Sequence, residues 1–175
     1  MTVLELMLSH DAWTTRQLLL RCKELSDEQF DEVVEPWERS LRDTFDHILS
    51  VAEFHTDFLI SAKSESTERD DKTLDGMLSR LTTISKVLTN AALRIEREDA
   101  ADALTTNPYN GRTRTQGALI AHILTHGMHH RAQVLKMLDQ LKVEDVIEGD
   151  ALSFASLIRG WGWQDGDSYG RPLPE

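Results

Sequence analysis

Histidine is used unevenly in this chain. Four of its seven histidines, His122, His126, His129 and His130, fall within nine consecutive positions of the stretch A-L-I-A-H-I-L-T-H-G-M-H-H-R-A-Q-V-L-K-M-L-D-Q-L, from Ala118 to Leu141. Apolar residues recur there every three to four positions, the period of an amphipathic helix. On that helix Leu119, Ile123, Val134, Met137, Leu138 and Leu141 form the buried stripe; His126 and His130 lie on its border, and His122 and His129 lie towards its rim. The spacing of His126 and His130, i and i+4, brings their Cβ atoms to roughly 6 Å and lets both imidazoles converge on one point. Two neutral imidazoles so placed suit a divalent transition metal, as in the two-histidine helical motif of zinc proteases. Left beside an apolar stripe without a shared partner, the same rings would carry a desolvation cost. A third ligand must come from elsewhere.

Two candidates lie on an earlier helix. His47 and His55 share its apolar face, but eight residues amount to about 12 Å of axial rise, so they cannot both reach one metal ion. Periodicity does not choose between them. His10, one turn from Trp13, is expected at the surface or behind a ligand, and Gln133, one turn beyond His130, is placed to orient a ligand or a substrate. The single cysteine, Cys22, sits among Leu18, Leu19, Leu20 and Leu25 and reads as a buried structural thiol.

The elements that must position these residues are helices. The spacing predicts an all-α, single-domain chain over residues 1–175: helices near Thr2 to Glu24, Ser40 to Ala62, Leu74 to Glu98 and Thr115 to Leu141, forming a four-helix bundle with a short additional helix from Asp150 to Ile158. Ser40 and Asp150 are the expected N-caps, with Asp43 at capping-box distance from Ser40. The link from Ser26 to Arg39 contains a helical turn at Asp27 to Phe30 and then an extended portion through Glu35-Pro36-Trp37; it is long enough to cross from one end of a bundle to the other. Lys63 to Asp71 is polar and charge-rich, the segment where disorder is expected. Asn-Pro and Asn-Gly between Thr105 and Arg114 punctuate a turn or a short hairpin-like loop. Residues from about 159 onward read as an irregular tail whose Trp161, Trp163 and Tyr169 pack on the bundle or on a partner chain.

With 30 acidic and 19 basic residues the formal charge is −11, a sign that disfavours nucleic acid and anionic membranes as partners. No apolar run approaches the roughly 20 residues of a membrane span, and the first residues lack the pattern of a signal peptide, so the cytoplasm is the expected compartment.

With these elements in place, the chain resembles the DinB/YfiT-like family of small metal-binding helical bundles. S-L-R-D-T-F-D-H-I-L, ending at Leu49, looks like that family's segment around its first histidine, and H-G-M-H-H-R-A-Q-V, from His126, looks like its H-x-x-x-H-R-(Gly or Ala)-Q segment. W-T-T in the first helix, Y-N-G-R before the last long one and the Asp150 helix fall where the family has similar features, so the likeness covers nearly the whole chain. It implies His47, His126 and His130 as three metal ligands, His129 as a frequent non-ligating neighbour, and His55 as a pocket wall. Trp13-Thr14-Thr15 departs from the usual Trp-Ala-Asn. The likeness also favours a crossover order of helices and a homodimer.

Three neutral histidines leave one to three positions on a divalent ion for water or substrate, the arrangement of a catalytic site. Zinc or nickel come first, and imidazole also accommodates iron, copper and manganese. Such an ion can bind a thiol as thiolate or lower the pKa of water to about 7. Relatives include S-transferases and isomerases that use bacillithiol or mycothiol, so the resemblance implies an enzyme that activates a low-molecular-weight thiol, or water, for transfer to or hydrolysis of a small electrophilic molecule. The alternative is a non-catalytic metal-binding or stress-associated bundle.

Overall fold

The computed structural model describes residues 1–62, 69–147 and 149–160. It is mostly helical: α1 (Val3–Arg21), α2 (Asp27–Phe30), α3 (Leu41–Leu59), α4 (Leu74–Arg97), α5 (Gln116–Gln140) and α6 (Ala151–Ile158), with one small sheet of β1 (Leu104–Thr106) and β2 (Thr113–Thr115) between α4 and α5. The ends follow the local chemistry. Thr2 caps α1 in a reciprocal capping box with Glu5, Ser40 Oγ accepts the Asp43 N–H at the start of α3, and Asp150 accepts the N–H groups of Leu152 and Ser153 at the start of α6.

Residue pairs across the seams fix the helix directions. Thr44 meets Met137, His47 meets His126 and His130, and His55 meets His122, so α3 and α5 run antiparallel. Thr2 bonds Glu96 and Lys23 pairs with Asp75, so α1 and α4 are also antiparallel. Asp11 and Thr15 both bond Arg131, Leu8 shares one apolar cluster with Leu119 and Ile123, and Leu18 shares the other with Met137 and Leu138; α1 and α5 are therefore parallel. By the same reasoning α3 and α4 run parallel, because Phe45 and Met77 share one apolar cluster while Phe58 and Leu88 share another. Each of α1 and α3 packs on both α4 and α5.

This arrangement relocates the long crossover. The link after α1 does not run the length of the molecule: Cys22, Phe30, Val34, Leu41 and Phe45 lie in one cluster, so the link stays at one end and steps across to α3. Its Glu35-Pro36-Trp37 portion is a turn closed by the Val34–Arg39 bridge rather than an extended strand, since the bridge satisfies backbone groups that an exposed extended segment would leave to water. The lengthwise return belongs to the link between the parallel helices α3 and α4. Along it Arg69 pairs with Asp57 near the end of α3, and Lys72 pairs with Asp46 near its start. The disorder expected from Lys63 falls mostly on 63–68, outside the described residues; Arg69 is held by two bonds of 2.8 Å to Asp57. Trp161, Trp163 and Tyr169 likewise lie outside the described residues.

Between α3 and α4 the seam is charged. Arg80, 1% exposed, donates to both carboxylate oxygens of Glu53, at 3.0 and 3.1 Å, and to Asp46 at 2.8 Å. The fork geometry of guanidinium and carboxylate satisfies both buried charges together. Burial pushes the Cys22 thiol up to about 12, so this side chain packs as an apolar group rather than reacting as a thiolate. No helix among the described residues is long and apolar enough to cross a membrane.

Candidate metal centre

The α3–α5 seam carries a polar interruption between the two apolar clusters, and it is made of histidine. His47 projects from α3 against His126 and His130 of α5, with ring centroids 4.9, 4.7 and 4.4 Å apart around the triangle. One ring nitrogen from each lies within 4.8 Å of the others, and all three side chains are half-buried. Among the described residues no carboxylate or thiol joins the group.

Antiparallel packing explains how residues so distant in sequence meet, and α1 explains the rotation of α5. Residues 126 and 130 face α3, and residues 127 and 131, about 100° further round, face α1. There the Arg131 guanidinium forms an ion pair with Asp11 and donates to Thr15 Oγ1 at 3.2 Å. Gly127 makes the approach possible: a Cβ at this position would stand 2.8 Å from Asp11 Oδ1 and 2.9 Å from Arg131 Nη1. Thr15 is therefore part of the anchor that aims the α5 histidines.

One pair of donors already stands at the separation a divalent ion requires, and the third is within 4.8 Å of both. His126 Nε2 and His47 Nε2 are 3.2 Å apart, near the roughly 3.3 Å that two imidazole nitrogens adopt in a tetrahedral site with Zn–N of about 2.0–2.1 Å. His130 Nδ1–H donates to Gln133 Oε1 at 2.7 Å, which leaves Nε2 unprotonated and available. Gln133 also donates through Nε2 to His129 Nε2 at 3.3 Å. The glutamine expected to orient a ligand or substrate thus orients a histidine, and His129 lies behind that arrangement rather than in it.

The electrostatics keep the three rings neutral. Burial first, then the neighbouring imidazoles His130, His47, His122 and His55, push His126 down to about 4. His47 is lowered by burial, His130 and Arg39, against the opposing pull of Asp46. His130 is lowered chiefly by burial although its bond to Gln133 works the other way. Neutral imidazoles are the metal-binding form, so protons compete poorly for this site.

The remaining candidates separate. His55 donates Nδ1–H to Val51 O at 2.9 Å and its ring lies 4.5 Å from that of His122, one step along the seam from the triangle. His122, placed towards the rim by the helical wheel, joins the histidine cluster, with its ring 5.6 Å from that of His126. His10 lies on the face of α1 that meets α6, with Nε2 bonded to Gly149 O at 2.5 Å and its ring 5.8 Å from Phe154, and is not part of the three-histidine group. Tyr109 OH donates to the buried Asp57 at 2.5 Å and its ring stacks on Phe54 at 5.7 Å, a contact between loop and helix that sequence reasoning missed. Its sequence signals were the Asn-Pro and Asn-Gly turn and the Y-N-G-R likeness, which predict a loop but not the loop's partner.

The family model for the DinB family matches residues 1–148. The chain belongs to the DinB family. Two solved structures have the same fold at low identity. A DinB-like protein from Bacillus cereus ATCC 10987 is 14% identical with a TM-score of 0.57, over 78% of this chain and 91% of that one. A protein described as a candidate member of the DinB family from Exiguobacterium sibiricum 255-15 is 18% identical with a TM-score of 0.60, over 86% and 99%. No curated protein matches the sequence. In this DinB chain the likeness in fold and the three-histidine group stand together.

Proposed function

We propose that this DinB protein is a metal-dependent enzyme that activates a low-molecular-weight thiol, or water, for attack on a small electrophilic molecule. The observation that carries the reading is the donor set: three neutral, half-buried imidazoles converge, and among the described residues no fourth protein ligand closes the group. His47, His126 and His130 would hold the ion, zinc or nickel before iron, copper or manganese. A divalent ion so held supplies positive charge at the reacting centre and favours the deprotonated form of a thiol or water. The chain's own residues do the rest. Gln133 fixes the His130 tautomer, Arg131 and Asp11 hold the rotation of α5, and His55 and His122 line the approach from one side. The working unit in this reading is a homodimer.

The test is metal analysis of tag-free protein, followed by thiol-dependent turnover of a panel of small electrophiles with bacillithiol, mycothiol and glutathione. Stoichiometric metal with thiol-dependent product, both lost in His126→Ala, supports the reading. Metal without turnover of any thiol or water reaction would leave a binding protein and overturn the catalytic part.

A further inference from the structure

Past His126 the seam opens into a cavity of ≈ 350 Å³, between the outer half of α3, the start of α5 and the loop that joins β1 to β2. That volume is within the range of small-molecule pockets. Its walls are chemically divided. Phe54, Phe58 and Leu119 supply apolar surface; Asn110, Arg112 and Arg114, from the loop and β2, supply polar and cationic groups; His55 and His122 also line it, and the His122 ring lies 5.6 Å from that of His126. No lining residue is acidic. In a chain of formal charge −11 this is a local reversal of sign. Among the described residues no carboxylate pairs with either arginine, and Arg114 bonds only the carbonyl of its neighbour Thr113.

The loop that carries the arginines is built into the fold. Asn107, 3% exposed, accepts the N–H groups of Tyr109 and Asn110 on its side-chain oxygen, and Asn110 accepts the N–H of Arg112. Tyr109 ties the loop to α3 twice, by its bond to Asp57 and by stacking on Phe54. Asp57 is in turn held by Arg69. Guanidinium groups presented this way are recognition elements for carboxylates, which accept their forked N–H donors in pairs.

We propose that this cavity binds small organic acids, with the apolar body on Phe54, Phe58 and Leu119 and the carboxylate on Arg112 and Arg114, beside the histidine group. Only the ligand's place next to a metal centre rests on the function proposed above; binding itself does not. The site selects for charge at one end of the molecule and for a flat apolar group at the other. It therefore favours unsaturated or aromatic acids among the small molecules that could reach the centre.

The probes are trans-cinnamate and its neutral isostere cinnamamide, titrated calorimetrically into full-length protein, first treated with chelator and then loaded with zinc. The expected result in metal-free protein is acid binding at least about tenfold tighter than amide binding, the scale of one charge-assisted bond. In Arg112→Gln/Arg114→Gln that preference should fall to near unity, while amide affinity and the thermal midpoint stay unchanged, because both side chains are exposed. Arg112→Lys/Arg114→Lys should restore part of the preference. Equal binding of acid and amide, or a preference untouched by the glutamine pair, overturns the proposal. Acid binding seen only with zinc and insensitive to the arginines also overturns it, since the carboxylate then sits on the metal. Arginine-dependent binding in a protein that takes up no metal sustains this site and refutes the metal reading instead.

Discussion

Gly127 sits inside α5, where glycine is disfavoured, and replacing it tests how the histidine-bearing face is aimed. At an unconstrained interior helical position, Gly127→Ala would stabilise the protein by about 1 kcal/mol, through lower chain entropy and better helix propensity. Here the added Cβ would meet Asp11 Oδ1 at 2.8 Å and Arg131 Nη1 at 2.9 Å. The two groups form an ion pair with side chains 20% and 7% exposed, so they must move apart or push α1 away. Removing one partner of a buried pair costs about 3–5 kcal/mol, and a displacement that stretches the pair forfeits part of that. The opposing effects leave a net destabilisation of about 1–3 kcal/mol. Urea denaturation of metal-free protein reads the change directly, and zinc titration of the same variant should show weakened binding because residues 126 and 130 flank the disturbed contact. A variant that is more stable by about 1 kcal/mol, with unchanged zinc affinity, would refute the claim that α1 sets the rotation of α5.

Four further outcomes follow from the site. His47→Ala, His126→Ala and His130→Ala should each abolish stoichiometric zinc binding by equilibrium dialysis while the helical circular dichroism survives; equal loss in His122→Ala or His129→Ala would mean that the wrong face was chosen. Gln133→Leu removes the acceptor at His130 Nδ1 and should weaken metal binding by about 10–100-fold. Acid should destabilise the metal-free protein: His126, His47 and His130 have lowered pKa values when folded, so the unfolded chain binds more protons once pH falls below the ordinary histidine value near 6.5. Stability is then highest above that value and declines towards about 4, where His126 takes its proton; urea midpoints at successive pH values check this, and a flat profile from 7 to 4.5 would contradict it. Sedimentation at micromolar concentration should give a dimer of the 19.9 kDa chain, and a monomer would retire that part of the proposal.

The helices were legible because each carries a 3.6-residue pattern and local end signals. The reading Leu74 to Glu98 differs from the observed Leu74–Arg97 only at its final residue, and Ser40 and Asp150 cap the helices they were assigned to. His126 and His130 were legible from their spacing alone. His47 was not, because it and His55 share one face, and only the register of α3 against α5 distinguishes them; the family likeness supplied that choice. What periodicity left hidden is long-range. Nothing local pairs Arg131 with Asp11, buries Arg80 between Glu53 and Asp46, or carries Arg112 to the cavity beside His122. The first link is long enough for a lengthwise crossover, but length only permits one; direction is decided by which apolar clusters the flanking helices enter.

His47 and His126 are 79 residues apart in the chain. A metal ion that holds both is a removable cross-link, and closing a loop of that size withdraws about 4.5 kcal/mol of conformational freedom from the unfolded chain if the link persists there. The ion would then do for this single-cysteine protein what a disulfide does for a secreted one, with proton activity and chelators in place of redox potential as the controls. Release of the ion would restore that loop freedom to the unfolded chain, while the apolar clusters on either side of the seam still hold the fold.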